Sequence, residues 1–207
     1  MKLIERKDYL KTLINVKNTP DIKVITGVRR SGKSKLLLSF MEWLKKQEQD
    51  SHIVYINLQE TENEQFLEYH CLHDYILEQY VEGKNNYLFI DEVQLCTHFE
   101  KAVNSIHAKE IYDIYVTGSN AFLLSSDLAT LFTGRTFTIE VFPFSFQEFL
   151  VYFDRDDTDQ AFNDYLRIGG FAGSYLYHQI EQKYDYIQKD VYETIVTQDI
   201  VQKYNNS

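Results

Sequence analysis

Residues 27–34 constrain the fold of this chain more than any other segment. They read Gly-Val-Arg-Arg-Ser-Gly-Lys-Ser, which matches the G-x-x-x-x-G-K-[ST] pattern of a phosphate-binding loop. Residues 22–26, Ile-Lys-Val-Ile-Thr, predict a buried strand before the loop, and residues 33–47 predict a helix after it. The pattern needs this context, because its glycines allow a tight turn whose N–H groups point inward. The sequence therefore predicts a loop that binds the phosphates of a nucleoside triphosphate.

The polar residues of this loop have separate expected roles. Lys33 is expected to bind the β- and γ-phosphates, and the Ser34 hydroxyl is expected to bind Mg²⁺. The positive end of the following helix adds to the attraction for phosphate. Arg29 and Arg30 either steer the triphosphate, contact a neighbouring protomer, or pair with surface acids. The predicted nucleotide-binding residues are Gly27, Val28, Arg29, Arg30, Ser31, Gly32, Lys33, Ser34 and Lys35.

A pair of acidic residues follows a second apolar run. Residues 87–90 read Tyr-Leu-Phe-Ile, and Asp91 and Glu92 come directly after them. Ligands of open α/β sheets gather at the carboxyl ends of the strands, so both carboxylates should lie beside the phosphate loop. We expect Asp91 to hold Mg²⁺ and Glu92 to orient and deprotonate the attacking water. The structural alternative is a solvated acidic pair that simply follows a buried strand.

Asn120 follows the next predicted strand, at residues 113–117. A polar side chain at that strand end would bond both the γ-phosphate and the attacking water. The alternative is a cap for the helix predicted after it, and the two roles can coexist.

Strand-like and helix-like segments alternate through the first two thirds of the chain. The predicted strands are residues 22–26, 53–58, 87–91, 113–117 and 136–141, and the predicted helices are residues 6–16, 33–47, 64–81, 99–108 and 121–131. This alternation is typical of parallel βαβ units and predicts a three-layer α/β sandwich. Strand signals are absent from Phe144 onward, and residues 145–205 predict helices. We expect an α/β core at residues 1–143 and a helical lid at residues 144–207.

Composition narrows the class of protein. The length of 207 residues and the 44% of hydrophobic residues fit one folded α/β domain with a small appendage. The net charge of −10 argues against a broad basic face that coats nucleic acid. Because the chain lacks an 18-residue apolar run and the apolar core of a signal peptide, we expect a cytoplasmic protein without a membrane span. Cys71 and Cys96 lack metal-binding spacing and are expected to be reduced, structural thiols.

Together these segments resemble the AAA+ superfamily of ATPases, and more closely the prokaryotic AAA-like ATPases that are often followed by a domain of unknown function. The resemblance covers nearly the whole chain, and its most specific pieces are residues 27–34, 89–94, 116–120, 133–135 and 143–146. It implies ATP and Mg²⁺ as ligands and the strand order 5-1-4-3-2, with the fourth strand between the first and the third. It also implies that Asn120 is the sensor residue.

Arg135 stands where AAA+ proteins carry an arginine finger. It precedes the fifth predicted strand, so we expect it at the opposite end of the sheet from the phosphates, where it would act on a neighbouring subunit's nucleotide. The alternative is that Arg135 closes the helix before it or pairs with a nearby acid.

The predicted lid resembles that of the signal-transduction ATPases with many domains, which carry a G-x-P turn near the nucleotide. Residues 169–172 read Gly-Gly-Phe-Ala here, with Ala172 where proline is usual. Arg167 is a candidate lid sensor for the γ-phosphate, and pairing with the acidic loop at residues 154–159 is its alternative role.

The leading prediction is a Mg²⁺-dependent ATPase whose turnover moves the lid against the core. A slow-hydrolysing, nucleotide-controlled interaction switch is the second. A small-molecule kinase is disfavoured because Glu92 supplies a water-activating carboxylate, and a GTPase because no [NT]-K-x-D motif occurs. Relatives of this type usually continue beyond the lid, so we expect segments beyond residue 207 to choose a protein or DNA partner. A homo-oligomer is a candidate assembly.

Overall fold

The computed structural model describes residues 4–119, 132, 134–193 and 195. Its five parallel strands are β1 (Ile22–Thr26), β2 (Ser51–Asn57), β3 (Asn85–Asp91), β4 (Asp113–Thr117) and β5 (Thr136–Glu140). Their order across the sheet is β2-β3-β4-β1-β5, which confirms the predicted order. The consequence is that β1, which leads into the phosphate-binding motif, lies in the interior of the sheet beside β4.

Helices cover both faces of the sheet. They are α1 (Lys7–Val16), α2 (Lys33–Gln47), α3 (Tyr69–Glu78) and α4 (Phe99–His107), with short 3₁₀ helices at Thr61–Leu67 and Val93–Leu95. Apolar strand residues such as Val24 and Ile90 pack on one face against α3 and α4, whereas Ile25, Phe89 and Tyr115 pack on the other face against α1 and α2. Successive residues of a strand point to opposite faces, so a strand covered on both sides directs apolar residues to each face. This arrangement confirms the three-layer α/β sandwich.

The helix predicted over residues 64–81 is wrong at both ends. Glu68 is extended and pairs with Thr97 in a short parallel bridge, so the 3₁₀ turn before it cannot continue into α3. At the other end, the Asn86 side chain accepts from the N–H of Val81 at 3.1 Å and donates to its carbonyl oxygen at 2.8 Å. Both interruptions come from residues that are distant in sequence or lie in the next strand. The helix predicted over residues 121–131 lies outside the described residues.

After β5 the described elements are all helical. They are α5 (Phe146–Phe153), α6 (Asp159–Ile168), a 3₁₀ helix (Ala172–Leu176), α7 (Ile180–Asp185) and a π-helix (Tyr186–Glu193). We call residues 144–193 the C-terminal helical region. It has its own apolar core, centred on Phe149, Leu150 and Tyr175.

A capping box begins α5. The Glu148 N–H donates to Ser145 Oγ at 3.2 Å, and the Ser145 N–H donates to Glu148 Oε2 at 2.9 Å. Close by, the Phe144 N–H donates to the Gly170 carbonyl oxygen at 2.8 Å. A Cβ atom on Gly170 would lie 2.2 Å from the Phe144 carbonyl oxygen, so this close approach requires glycine. The start of the helical region is thereby held against the turn after α6.

Neither cysteine forms a disulfide: Cys71 is exposed and Cys96 is buried, as free thiols. Within the described residues, no helix has the length and apolar character needed to cross a membrane.

Candidate functional site

The phosphate-binding motif forms the turn between β1 and α2. Gly27 has a φ of 147°, and a Cβ atom there would lie 2.2 Å from the Val141 carbonyl oxygen. A side chain at this position would therefore collide with the segment that follows β5. The Ser31 N–H donates to the Val28 carbonyl oxygen at 3.1 Å and closes the turn. The first N–H groups of α2 have no partner within the helix, so the turn and the helix start together present donors for an anion.

The Lys33 side chain lies inside this turn. It is only 4% exposed, and its Nζ donates to the carbonyl oxygens of Gly27 at 3.1 Å and Val28 at 3.4 Å. Phosphate oxygens are stronger acceptors for an ammonium group than neutral carbonyls are. The Lys33 ammonium is therefore held where a bound phosphate would compete for it.

Two buried hydroxyls lie at the same turn. Among the residues described, the Oγ1 atom of Thr26 and the Oγ atom of Ser31 are buried and have no hydrogen-bond partner. A buried polar atom without a partner costs about 1–3 kcal/mol, and its retention calls for an explanation such as a ligand or a water molecule that bonds it. The loop therefore fits a ligand that carries phosphate oxygens.

Asp91 is held at the end of β3 by side chains from both neighbouring strands. Thr117, the last residue of β4, donates its hydroxyl to Asp91 Oδ1, and Tyr55 of β2 donates to Asp91 Oδ2 at 3.2 Å. Burial and then the Asp91 charge raise the pKa of the Tyr55 phenol, so Tyr55 keeps its proton and acts as a donor. The Asp91 carboxylate, 1% exposed, thus has a fixed orientation.

Glu92 is fixed through both its backbone and its carboxylate. Its φ of 56° lies in the left-handed region, which non-glycine residues occupy at a cost of about 1–2 kcal/mol. Its N–H donates to Thr117 Oγ1 at 2.9 Å, and its Oε2 accepts from the Gln94 side-chain amide at 2.6 Å. Local strain of this kind clusters at functional sites.

A cavity of about 420 Å³ joins these parts to the C-terminal helical region. The size is within the range of small-molecule sites. The residues from Arg30 to Lys35 line one side together with Glu92, and Arg6 lies beside them. The helical region contributes Phe144, Gly170, Ala172, Gly173 and Tyr186. The structure therefore brings Lys33, Ser34 and Glu92 to one cleft, with Asp91 adjacent in sequence.

The other predicted site residues lie elsewhere. Asn120 is outside the described residues. Arg135 is exposed and precedes β5, and its carbonyl oxygen accepts from the Ile22 N–H at 2.9 Å, at the start of β1. The turn of residues 27–34 follows the opposite end of β1, so Arg135 lies at the other end of the sheet from this turn, and its finger role stays a prediction. Arg167 is exposed on α6 and is not among the residues that line the cleft.

Arg30 contacts the helical region directly. Its guanidinium carbon lies 4.9 Å from the centre of the Tyr186 ring, which is a cation–π distance. Steering of the triphosphate, contact with a neighbouring protomer and pairing with surface acids all stay predictions for Arg30. The ring contact with Tyr186 is an additional interaction that the sequence did not indicate. Tyr186 is itself nearly buried, at 9% exposure.

Sequence reasoning missed Thr117 and Arg6 as site residues. Thr117 directly precedes the Gly118-Ser119-Asn120 segment, so its place at a strand end was a usable signal. Arg6 binds partners that lie 25, 136 and 142 residues away in the sequence, and no spacing rule identifies such contacts.

Comparisons with known proteins agree with this geometry. A model of a family described as an AAA domain matches residues 19–150. An uncharacterized protein of Haemophilus influenzae is 36% identical over 97% of this chain and 51% of its own length. The uncharacterized protein MJ1544 of Methanocaldococcus jannaschii is 27% identical over 99% of this chain and 48% of its own length. The chain thus spans about half the length of these curated relatives.

Among solved structures, AMPPCP-bound DnaA from Aquifex aeolicus matches with a TM-score of 0.52 and 15% identity. The match covers 94% of this chain and 63% of the DnaA chain. At this identity the likeness establishes a shared fold.

Proposed function

The chain belongs to the AAA domain family of the AAA+ ATPase superfamily, and from this premise we propose that it binds ATP with Mg²⁺ and hydrolyses the ATP. One observation carries the proposal: Lys33 and Glu92 line the same cavity. A cation that binds phosphate and a carboxylate able to take a proton from water both promote hydrolysis of a phosphoanhydride when they border the same site. The AMPPCP bound by DnaA supports a nucleotide as the ligand of this fold.

Residues 27–35 are proposed to bind the phosphates. Their backbone N–H groups and the positive end of α2 attract the anion, and Lys33 exchanges its carbonyl partners for phosphate oxygens. Ser34 and Asp91 would hold Mg²⁺, because hydroxyl and carboxylate oxygens suit this ion. Bound there, Mg²⁺ would neutralise charge on the phosphates.

Glu92 is proposed as the general base. Its carboxylate borders the cleft and is oriented by Gln94, while its backbone is fixed by Thr117. A water between Glu92 and the γ-phosphate would give its proton to the carboxylate as its oxygen bonds to phosphorus, and the bond from phosphorus to the β–γ bridging oxygen would break to release ADP. Asn120 is proposed as the γ-phosphate sensor and Arg135 as a finger that acts on a neighbour's nucleotide, both on the strength of the family resemblance.

We also propose that residues 1–143 act as the ATPase core and residues 144–207 as a lid that moves with nucleotide state. Gly170 and Tyr186 line the cleft together with Lys33, which supports this division, because a ligand there would touch both parts. The parts of the longer relatives that lie outside the match are proposed to select a protein or DNA partner.

A thermal-shift experiment tests the proposal. ATP with Mg²⁺ should raise the melting temperature of the wild type, because a ligand bound only by the folded state stabilises it by about 2.7 kcal/mol at 100 times its Kd. Lys33→Ala should abolish the shift. Lys45→Ala is the matched control: Lys45 lies on the same helix, pairs with Glu42 at 3.0 Å and is exposed. An equal shift in wild type and Lys33→Ala would refute the proposed site.

A further inference from the structure

We infer that Arg6 is a positioning residue for the phosphate-binding loop and couples the loop to the C-terminal helical region. This role of Arg6 rests on the proposed function, because it concerns a phosphate-bearing ligand in the same cleft. The residue lies just before α1, far in sequence from all of its charged and carbonyl partners. It is nevertheless 6% exposed, which is unusual for arginine without a specific role.

Arg6 and Glu148 form a two-point ion pair. Arg6 Nε donates to Glu148 Oε1 at 2.7 Å, and Arg6 Nη2 donates to Glu148 Oε2 at 2.9 Å. A planar guanidinium bonded at two points to a carboxylate has a fixed orientation as well as a fixed position. Glu148 also accepts the N–H of Ser145, so the same carboxylate caps α5. The plane of the Arg6 guanidinium is therefore set by the first turn of the helical region.

The opposite edge of the guanidinium binds backbone carbonyls. Arg6 Nη1 donates to the Ser31 oxygen at 3.0 Å, and Nη2 donates to the Phe142 oxygen at 2.9 Å. At least four of the five N–H donors of Arg6 are thus engaged. The ring centres of Tyr9 and Phe144 lie 4.4 and 5.3 Å, respectively, from the guanidinium carbon of Arg6. Arg6 is thus held by groups from several elements of the fold and still borders the cleft.

The bond to Ser31 determines the direction of a phosphate-binding donor. A trans peptide is planar, so its carbonyl oxygen and the following N–H point in opposite directions. By holding the Ser31 oxygen, Arg6 sets the direction of the Gly32 N–H, which belongs to the G-x-x-x-x-G-K pattern. Gly32 has a φ of 100° and offers little resistance to rotation of this peptide. Arg6 supplies the restraint that glycine lacks.

The same contacts connect the cleft to the helical region. Reorientation of the Ser31–Gly32 peptide on phosphate binding would change the bond to Arg6, and Arg6 would transmit the change to Glu148 at the start of α5. Because Arg6 is nearly buried and Glu148 is 19% exposed, loss of either partner leaves the other charge poorly solvated.

The test measures affinity rather than stability alone. Titration calorimetry of the full 207-residue chain would use ATP with Mg²⁺ and, separately, inorganic pyrophosphate, which reports on the loop without a nucleoside. Arg6→Gln should weaken the binding of both ligands by about tenfold or more. The reason is that the Gly32 N–H, which would donate to a charged phosphate oxygen, is then no longer held in the right direction. Glu148→Gln should weaken both less. The double variant should bind about as Arg6→Gln does, because the pair acts as a unit.

Arg155→Gln is the matched control. Arg155 pairs with Asp164 at 2.8 Å within the helical region and does not line the cleft, so both affinities should be unchanged. If Arg6→Gln fails to fold, Arg6→Lys keeps the charge but loses the planar fork, and it should still bind more weakly than wild type.

Three results would overturn the role of Arg6. The first is a folded Arg6 variant that has a lower melting temperature but binds both ligands with wild-type affinity. The second is a variant that binds ATP more weakly and pyrophosphate as the wild type does. The third is a double variant in which the effects of Arg6→Gln and Glu148→Gln on affinity add. A wild type that binds neither ligand would instead refute the proposed function, and the role of Arg6 with it.

Discussion

The hydroxyl oxygen of Thr117 accepts a hydrogen bond of 2.9 Å from the backbone N–H of Glu92. The same hydroxyl donates its proton to the Asp91 carboxylate, so one buried side chain on β4 holds both acidic residues at the end of β3. Parallel pairing of these strands, with Ile90 opposite Val116, brings their carboxyl ends side by side. The orientation of the proposed base and of the proposed metal ligand thus depends on a side chain of the neighbouring strand.

Thr117→Val should impair both folding and hydrolysis. Valine has a similar shape but no hydroxyl, so the Glu92 N–H loses its acceptor and Asp91 loses a donor. We expect the free energy of unfolding to fall by about 1–3 kcal/mol and ATP turnover to fall with it. Thr117→Ser keeps the hydroxyl and should preserve turnover. Denaturant unfolding and phosphate release measure the two effects, and a Val variant equal to the Ser variant in turnover would contradict this role.

Glu92→Gln should separate binding from hydrolysis. Glutamine keeps the size of the side chain and can accept a hydrogen bond, but it cannot take a proton from water. We expect nucleotide binding to be retained and turnover to fall by about 10²-fold or more. Glu60→Gln is the control, since Glu60 follows the end of β2 and is exposed, accepting from the Asn57 amide at 3.1 Å. Near-normal turnover in Glu92→Gln with loss in Glu60→Gln would transfer the role of base to Glu60.

Arg135 is predicted to act across a subunit interface. It lies at the start of β5, and the phosphate-binding turn lies beyond the end of the neighbouring β1. Five strand residues span roughly 17 Å, more than an arginine side chain can reach. Mixing Arg135→Ala with Lys33→Ala subunits should restore turnover that each variant lacks alone, because some interfaces then join an intact Lys33 to an intact Arg135. An oligomer that shows no recovery, or a strictly monomeric active protein, would exclude the finger role.

The two cysteines should differ in reactivity. Burial first, and then the charges of Glu68 and Glu100, raise the pKa of Cys96 to about 12, whereas Cys71 is exposed. Because the thiolate is the reactive form, Cys96 should stay unmodified by iodoacetamide between pH 7 and 9. Mass spectrometry should find one label on the native chain, two in denaturant, and none on native Cys71→Ser. Labelling of Cys96 at the native-state rate of Cys71 would contradict its burial.

Much of this fold could be predicted because the relevant signals are local. β1 and α2 follow from apolar periodicity on either side of residues 27–34, and the role expected of Asp91 and Glu92 follows from their position after an apolar run. The strand order came from the family resemblance rather than from periodicity, and the sheet confirms it. The predicted helix was longer than α3 at both ends. Glu68 pairs with Thr97 and Val81 with Asn86, and the apolar periodicity of residues 64–81 carries no information about these partners.

By itself, therefore, the sequence determined that a turn with the phosphate-binding pattern joins a buried strand to a helix, and that two carboxylates stand at the end of another strand. Those features depend on residues adjacent in the chain, whose side-chain periodicity and backbone preferences act locally. Only the tertiary structure decided which distant side chains contact one another. Thr117 forms hydrogen bonds with Asp91 and Glu92, the Arg30 guanidinium lies over the Tyr186 ring, and Arg6 pairs with Glu148, 142 residues away in the sequence. Such contacts depend on how separate elements pack, because a guanidinium or a hydroxyl selects its partner by distance in space and not by distance along the chain.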